Sequence, residues 1–139
     1  MYDDLKKRVE REKAFHNQEK DVSKKAFKFK KLFRNYFLNP SLVEMENYLD
    51  QVKNITNKKV LDFGCGYGKD FDDLLLKDNH LTGIDISELY IKHCTNYCTE
   101  KFKGKKFEFY AMDAHELKFQ DETFDLVIGR GILHHLDFN

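Results

Sequence analysis

Short apolar runs alternate with stretches of helical periodicity over residues 58–139. Lys59–Phe63 (KVLDF) is an apolar run with a β-branched start, and Gly64-Cys65-Gly66-Tyr67-Gly68 follows at once. Asp70–Leu76 puts Phe71, Leu74 and Leu75 on one helical face. His80–Ile84 predicts a second strand broken by Asp85, and Ser87–Thr99 the helix after it. Phe107–Ala111 and Phe124–Ile128 predict two further strands, and a helix begins at Ile132-Leu133-His134-His135-Leu136. Strands separated by helices predict an α/β fold with right-handed βαβ crossovers, a parallel sheet and helices on both faces. Ligands in such sheets bind beyond the carboxyl ends of the strands.

The first 57 residues follow a different pattern. Tyr2–Phe15 predicts a weakly amphipathic helix with apolar positions at Leu5, Val9 and Phe15. Val22, Ala26, Phe29, Phe33 and Phe37 recur at helical steps, widened by Leu32 and Tyr36. Seven basic residues and one acidic residue lie between Lys20 and Arg34. We read them as the solvated back of a helix whose aromatic stripe packs on the domain, in preference to a membrane- or phosphate-binding face. Asn39-Pro40 stops that helix. Ser41 and Glu44 then form a capping box for a third helix with Leu42, Met45, Leu49 and Val52 on its apolar face. The expected organisation is a helical cap region over 1–57 and a ligand-binding core over 58–139.

Composition narrows the function classes. The chain has 139 residues, 41% apolar and 35% charged, a size suited to one domain with a heavily solvated exterior. Its 24 basic and 24 acidic side chains cancel overall, but residues 1–57 carry 13 and 9 and the remainder 11 and 15. That distribution argues against a nucleic-acid binder. No apolar run approaches the roughly 18 residues of a membrane span, and no signal-peptide core follows Met1. Three cysteines without framework spacing fit reduced thiols in a cytoplasmic protein. Cys94 and Cys98 lie one helical turn apart with no further ligand at zinc spacing, so no metal is expected.

The glycines carry the chemistry. Gly64, Gly66 and Gly68 follow a strand and precede a helix, which permits a close approach of ligand to backbone at a helix N-terminus. Asp85, 21 residues beyond Gly64 at the end of the next strand, suits the two hydroxyls of a ribose. The G-x-G-x-G spacing departs from the dinucleotide fingerprint, Lys69 falls where its spacing is lost, and the Asp62 carboxylate would repel a pyrophosphate. An acid there suits a cation, such as an amino-acid ammonium. A nucleoside carrying an amino acid describes S-adenosylmethionine (SAM).

Val60-Leu61-Asp62-Phe63-Gly64-Cys65-Gly66-Tyr67-Gly68 resembles the first motif of class I SAM-dependent methyltransferases. Gly83-Ile84-Asp85-Ile86-Ser87 resembles the second, and Ala111-Met112-Asp113-Ala114 the adenine-contacting segment. Phe124–Ile128 with Leu133-His134-His135-Leu136 resembles the fourth strand and the helix after it. The resemblance implies a Rossmann-like sheet of order 3-2-1-4 with an N-terminal helical cap of the small-molecule type. It implies that Asp62 and the loop residues Gly64, Cys65, Gly66 and Gly68 hold the methionine portion. Asp85 would bind the ribose, Ile86 pack on adenine, Asp113 and Ala114 meet the adenine edge, and Arg130 line the pocket. Bland readings compete: Asp113 could cap a turn, Arg130 form a surface ion pair, Cys65 simply pack. His134 and His135 are candidate bases, read mainly as pocket lining, and His16 is a candidate lid residue.

The implied reaction is methyl transfer from SAM to a small-molecule acceptor, leaving S-adenosylhomocysteine, with Phe27, Phe29, Phe33 and Phe37 offering an apolar roof. Class I methyltransferases usually have seven strands, and four are predicted here. A missing C-terminal segment or a second copy of the chain would then cover the edge of the fourth strand. A truncated non-catalytic SAM-binding module that oligomerises through that edge is the alternative. An NAD-dependent oxidoreductase is disfavoured by the glycine spacing and Asp62.

Overall fold

The computed structural model describes residues 2–17, 50, 52, 54–130 and 132. The expected helix over Val22–Phe37 with its Phe roof, the Pro40 stop, the Ser41/Glu44 capping box, and His134 and His135 lie outside the described residues. The chain divides into two compact units, Met1–Gln18 with Ile55–Asn139, and Glu19–Asn54. Everything below belongs to the first.

The described elements run α1 (Tyr2–His16), β1 (Lys59–Phe63), α2 (Phe71–Leu76), β2 (His80–Asp85), α3 (Glu88–Lys101), β3 (Phe107–Ala111) and β4 (Leu126–Ile128). The strands form one parallel sheet in the order β3-β2-β1-β4, as the resemblance implied. Phe63 stands opposite Ile84, Asp62 opposite Ile128, and Asp85 opposite Ala111. The carboxyl ends of all four strands therefore meet at one rim. The order steps outward in both directions from β1, so the loop after β1 sits where the winding reverses.

Helices α2 and α3 pack on β2 and β3. Phe71, Leu74, Leu75, Leu81, Cys94 and Cys98 are buried, and the Phe71 ring stacks on Phe109 with centroids 5.0 Å apart. Each fully buried Leu or Phe contributes about 2 kcal/mol through apolar burial. Asn79 is buried yet fully employed: its Oδ1 accepts from the Lys58 N–H, and its Nδ2 donates to Ile55 O and Leu74 O. It ties the approach to β1 to the end of α2.

Three boundaries differ from the sequence reading, each for a local reason. Asp85 closes β2 instead of breaking it, because its backbone carbonyl accepts from Met112 N–H and continues the ladder to the end of β3. The fourth strand begins at Leu126, not Phe124, because the Asp125 side chain has taken the Lys59 N–H at 2.8 Å. Helix α2 begins at Phe71 without a side-chain cap, since the Asp70 carboxylate is engaged by Arg130.

Candidate functional site

The loop after β1 is built to bring backbone close to a ligand. Gly64 and Cys65 both donate their N–H to Ile84 O at 2.9 Å, and the Gly68 N–H donates to Cys65 O at 2.9 Å. These bonds bend the chain through left-handed backbone at Gly64, Gly66 and Gly68, with φ of 73°, 52° and 72°. A Cβ at Gly68 would overlap the ring of Phe71, whereas one at Gly66 would meet nothing within 4 Å. Gly66 also lines the cleft above the strand ends, which encloses about 230 Å³.

Asp85 is the hub of this region. Its Oδ2 accepts from the Gly66 N–H and its Oδ1 from the Ser87 N–H, both at 2.9 Å. The carboxylate thus fixes the loop on one side and the start of α3 on the other. Each carboxylate oxygen has lone-pair capacity for a second donor, enough for a vicinal diol. The opposite side of the Gly66 peptide is held as well, for Cys94 Sγ donates to Gly66 O at 3.2 Å. The hydrogen bond with Cys94, then burial, pushes the Cys65 thiol well up, which leaves it a neutral packing group and no nucleophile.

At the end of β3, Asp113 Oδ1 accepts from the His115 N–H at 2.9 Å and lies 2.8 Å from His115 Nδ1. This is the turn-closing role expected of an aspartate there, and it does not remove Asp113 from the cleft. Ile86, Asp113 and Ala114 line it together.

The other end is electrostatically unbalanced. Arg130 pairs with Asp70 and lines the cleft as well, so the ion-pair and pocket readings both hold in one side chain. Asp62 is buried, and burial foremost, then the Asp70 charge, raises its carboxyl to about 7, with Arg130 opposing and Asp85 adding. Asp62 is thus acted on by two further carboxyl groups and by one guanidinium.

Seven expected site residues line this cleft together: Gly64, Gly66, Asp85, Ile86, Asp113, Ala114 and Arg130. Asp62, on β1, and Cys65 and Gly68, within the loop, are buried and do not line it. Of the opposite wall, the sequence singled out only His16, as a candidate lid residue. Arg8, Val9, Glu12 and His16 of α1 and Tyr90 of α3 face the same cavity, with Met112, His115 and Ile132 completing it. Their spacing along α1 marks one helical face, but it is polar, and hydrophobic periodicity does not detect it. Among the described residues, no group of three or more His, Cys, Asp or Glu is arranged to hold a metal, and no helix is long and apolar enough to cross a membrane.

Comparison with known proteins agrees with this geometry. The family model for a methyltransferase domain matches residues 60–139. A sterol 24-C-methyltransferase of Schizosaccharomyces pombe is 29% identical over 104 residues, spanning 73% of this chain and 28% of that protein. A ubiquinone biosynthesis O-methyltransferase of Pseudomonas syringae is 32% identical over 100 residues, spanning 71% of this chain and 41% of the relative. The chain therefore covers well under half the length of these relatives. In fold, it is similar to a protein from Methanococcus maripaludis assigned to the S-adenosyl-L-methionine-dependent methyltransferases, with a TM-score of 0.58 at 18% identity, over 87% of this chain and 56% of that one. The strand order, the glycine loop at the winding reversal and the family match over 60–139 agree: the chain belongs to the methyltransferase-domain family.

Proposed function

We propose that the cleft binds SAM and that the chain is a SAM-dependent methyltransferase, or the cofactor-binding half of one, acting on a small-molecule acceptor. The observation that carries this reading is a glycine loop with an acid-rich floor: Asp85 holds the Gly66 N–H in the cleft, and buried Asp62 lies within electrostatic reach of Asp70, Asp85 and Arg130. Such a floor disfavours a pyrophosphate and suits a nucleoside bearing positive charge.

When bound, SAM would supply a methyl group on an activated sulfonium, with neutral S-adenosylhomocysteine as the leaving group. The chain's residues orient and enclose. Asp85 receives the ribose hydroxyls, and Ile86, Asp113 and Ala114 receive the adenine. Gly64 and Gly66 let backbone approach the methionine portion, and Gly68 with the packed Cys65 holds the turn that presents them. Asp62 attracts its ammonium, and Arg130 lines the same end. Alignment supplies much of the rate when the leaving group is already activated. We assign residues 1–57 as an N-terminal cap region and 58–139 as the SAM-binding core; α1, which lines the cleft, supports the first assignment. Three cysteines without framework spacing support a reducing compartment, the cytoplasm.

Asp62 supplies the test. Its carboxyl is raised to about 7 in the folded chain against 3.8 ordinarily, so the folded state retains the proton longer than the unfolded state. Its contribution to ligand-free stability is full below pH 4 and is lost as pH rises through about 7. Ionisation is what an ammonium favours, so affinity for S-adenosylhomocysteine should rise about 10-fold or more between pH 5 and 8 and level off above. Calorimetric titrations across that range should show it, and Asp62→Asn should flatten the slope. A slope kept by Asp62→Asn refutes the ammonium assignment.

One observation favours a second reading, a non-catalytic module that assembles through its sheet edge. β4 is outermost in the described sheet and Val127 is 54% exposed. Light scattering that returns a monomer removes it.

A further inference from the structure

The residues that dock α1 onto the core converge on the turn that carries Asp85. Asn17, just past α1, accepts at Oδ1 from Ser87 Oγ at 2.6 Å and from the Leu89 N–H at 3.3 Å. Lys13 pairs with Glu88 at 2.6 Å on the exposed side. On the cleft side, His16 Nδ1 lies 3.2 Å from the Tyr90 hydroxyl, the two rings meeting edge to face with centroids 5.6 Å apart. Tyr90 in turn leans on Tyr67 of the glycine loop at 4.3 Å. An aromatic chain, His16–Tyr90–Tyr67, thus runs from α1 across α3 to the loop.

Two features separate this chain from ordinary helix packing. His16 and Tyr90 line the same cavity as Asp85, Gly64 and Gly66, so the bridge forms part of the cavity wall. The Tyr90 hydroxyl also sits within electrostatic reach of Asp85, and burial, with Tyr67 and then Asp85 beside it, raises it above its ordinary value. It is therefore a neutral donor at physiological pH, next to the carboxylate assigned to the ribose. A phenol accepts as well as donates. It can donate to a ribose oxygen or accept from a ribose hydroxyl, and His16 Nδ1 holds it in place from above.

We propose that Tyr90 is a ribose-contacting residue positioned by His16, so that α1 completes the nucleoside site with the aromatic bridge closing over it. The proposal rests on the cleft being a nucleoside site, and it adds a residue and a role that the motif resemblance does not supply. Asp85 holds the sugar from the sheet side, and Tyr90 meets it from the helix side. Lys13–Glu88 is an exposed pair of the kind that contributes little, and it serves as an internal control.

The test uses the whole chain and two ligands, S-adenosylhomocysteine and its 2′-deoxyribose analogue. Tyr90→Phe keeps both ring contacts and the fold while removing only the hydroxyl. Affinity for S-adenosylhomocysteine should fall about 5- to 10-fold, the loss for the deoxy analogue should be smaller, and the preference between them should narrow. His16→Ala should narrow the preference in the same direction with Tyr90 intact, and Lys13→Ala should leave it unchanged. Equal losses for both ligands, or no loss, would mean that Tyr90 is packing alone and would overturn the proposal while leaving the cofactor reading intact. If the unaltered chain binds neither ligand, the cofactor reading falls and the Tyr90 role falls with it.

Discussion

Replacing Asp85 by alanine should weaken binding of S-adenosylhomocysteine by about 2–3 kcal/mol, roughly 30- to 150-fold. Two losses add. The ribose hydroxyls lose a charged acceptor, and hydrogen bonds to charged groups are the stronger class. The Gly66 and Ser87 N–H groups lose the oxygens that hold them at 2.9 Å, so the glycine loop and the start of α3 no longer share an anchor. The loop must then be ordered by the ligand itself, which lowers affinity further. Asp85→Asn should fall between wild type and Asp85→Ala, because it keeps one acceptor oxygen. Calorimetry gives the affinity and a thermal scan the accompanying loss of stability. An unchanged affinity in Asp85→Ala would remove Asp85 from the site.

The second large effect is on folding. Gly68→Ala should destabilise the chain by about 2–4 kcal/mol, combining left-handed strain with overpacking. The added methyl would overlap Phe71, and that ring is fully buried and stacked on Phe109, so it has nowhere to move. A fall of roughly 10 °C in the melting midpoint is expected for a domain of this size. Gly66→Ala is the informative partner. Its φ of 52° is equally left-handed, yet its Cβ would project into open space beside the cleft. It should lose only about 1 kcal/mol of stability. Its larger effect should be on affinity, since the methyl occupies room a ligand needs. If the two variants melt alike, the packing account of the loop is wrong.

These contrasts show what the sequence made legible. The KVLDF run followed by glycine marks β1 to the residue, because a buried parallel strand is a short, mostly apolar run with a sharp end. Phe71, Leu74 and Leu75 announce the buried face of α2 by spacing alone. The rim residues were reachable for the same reason: strand ends, glycines and acids occur in order along the chain. The α1 wall was not. Leu5, Val9 and Phe15 suggested a weak apolar stripe, but Phe15 is 53% exposed, and the face that matters holds Arg8, Val9, Glu12 and His16. A helix that meets the cleft through Arg8, Glu12 and His16 leaves little hydrophobic signature there. Asn17 accepts from the Ser87 hydroxyl that caps α3, 70 residues away, and Cys94 holds the carbonyl of Gly66 from α3. No local pattern records such long-range pairings, since each side chain is unremarkable where it stands in the sequence.

The central claim is that an acid-rich floor beneath a glycine loop selects a cationic nucleoside over a dinucleotide. Parallel calorimetric titrations of the chain with SAM, S-adenosylhomocysteine and NAD test it most directly. The account predicts one-to-one saturable binding of SAM and S-adenosylhomocysteine, and no measurable heat from NAD at the same concentrations. Binding of NAD as tight as that of S-adenosylhomocysteine would contradict it.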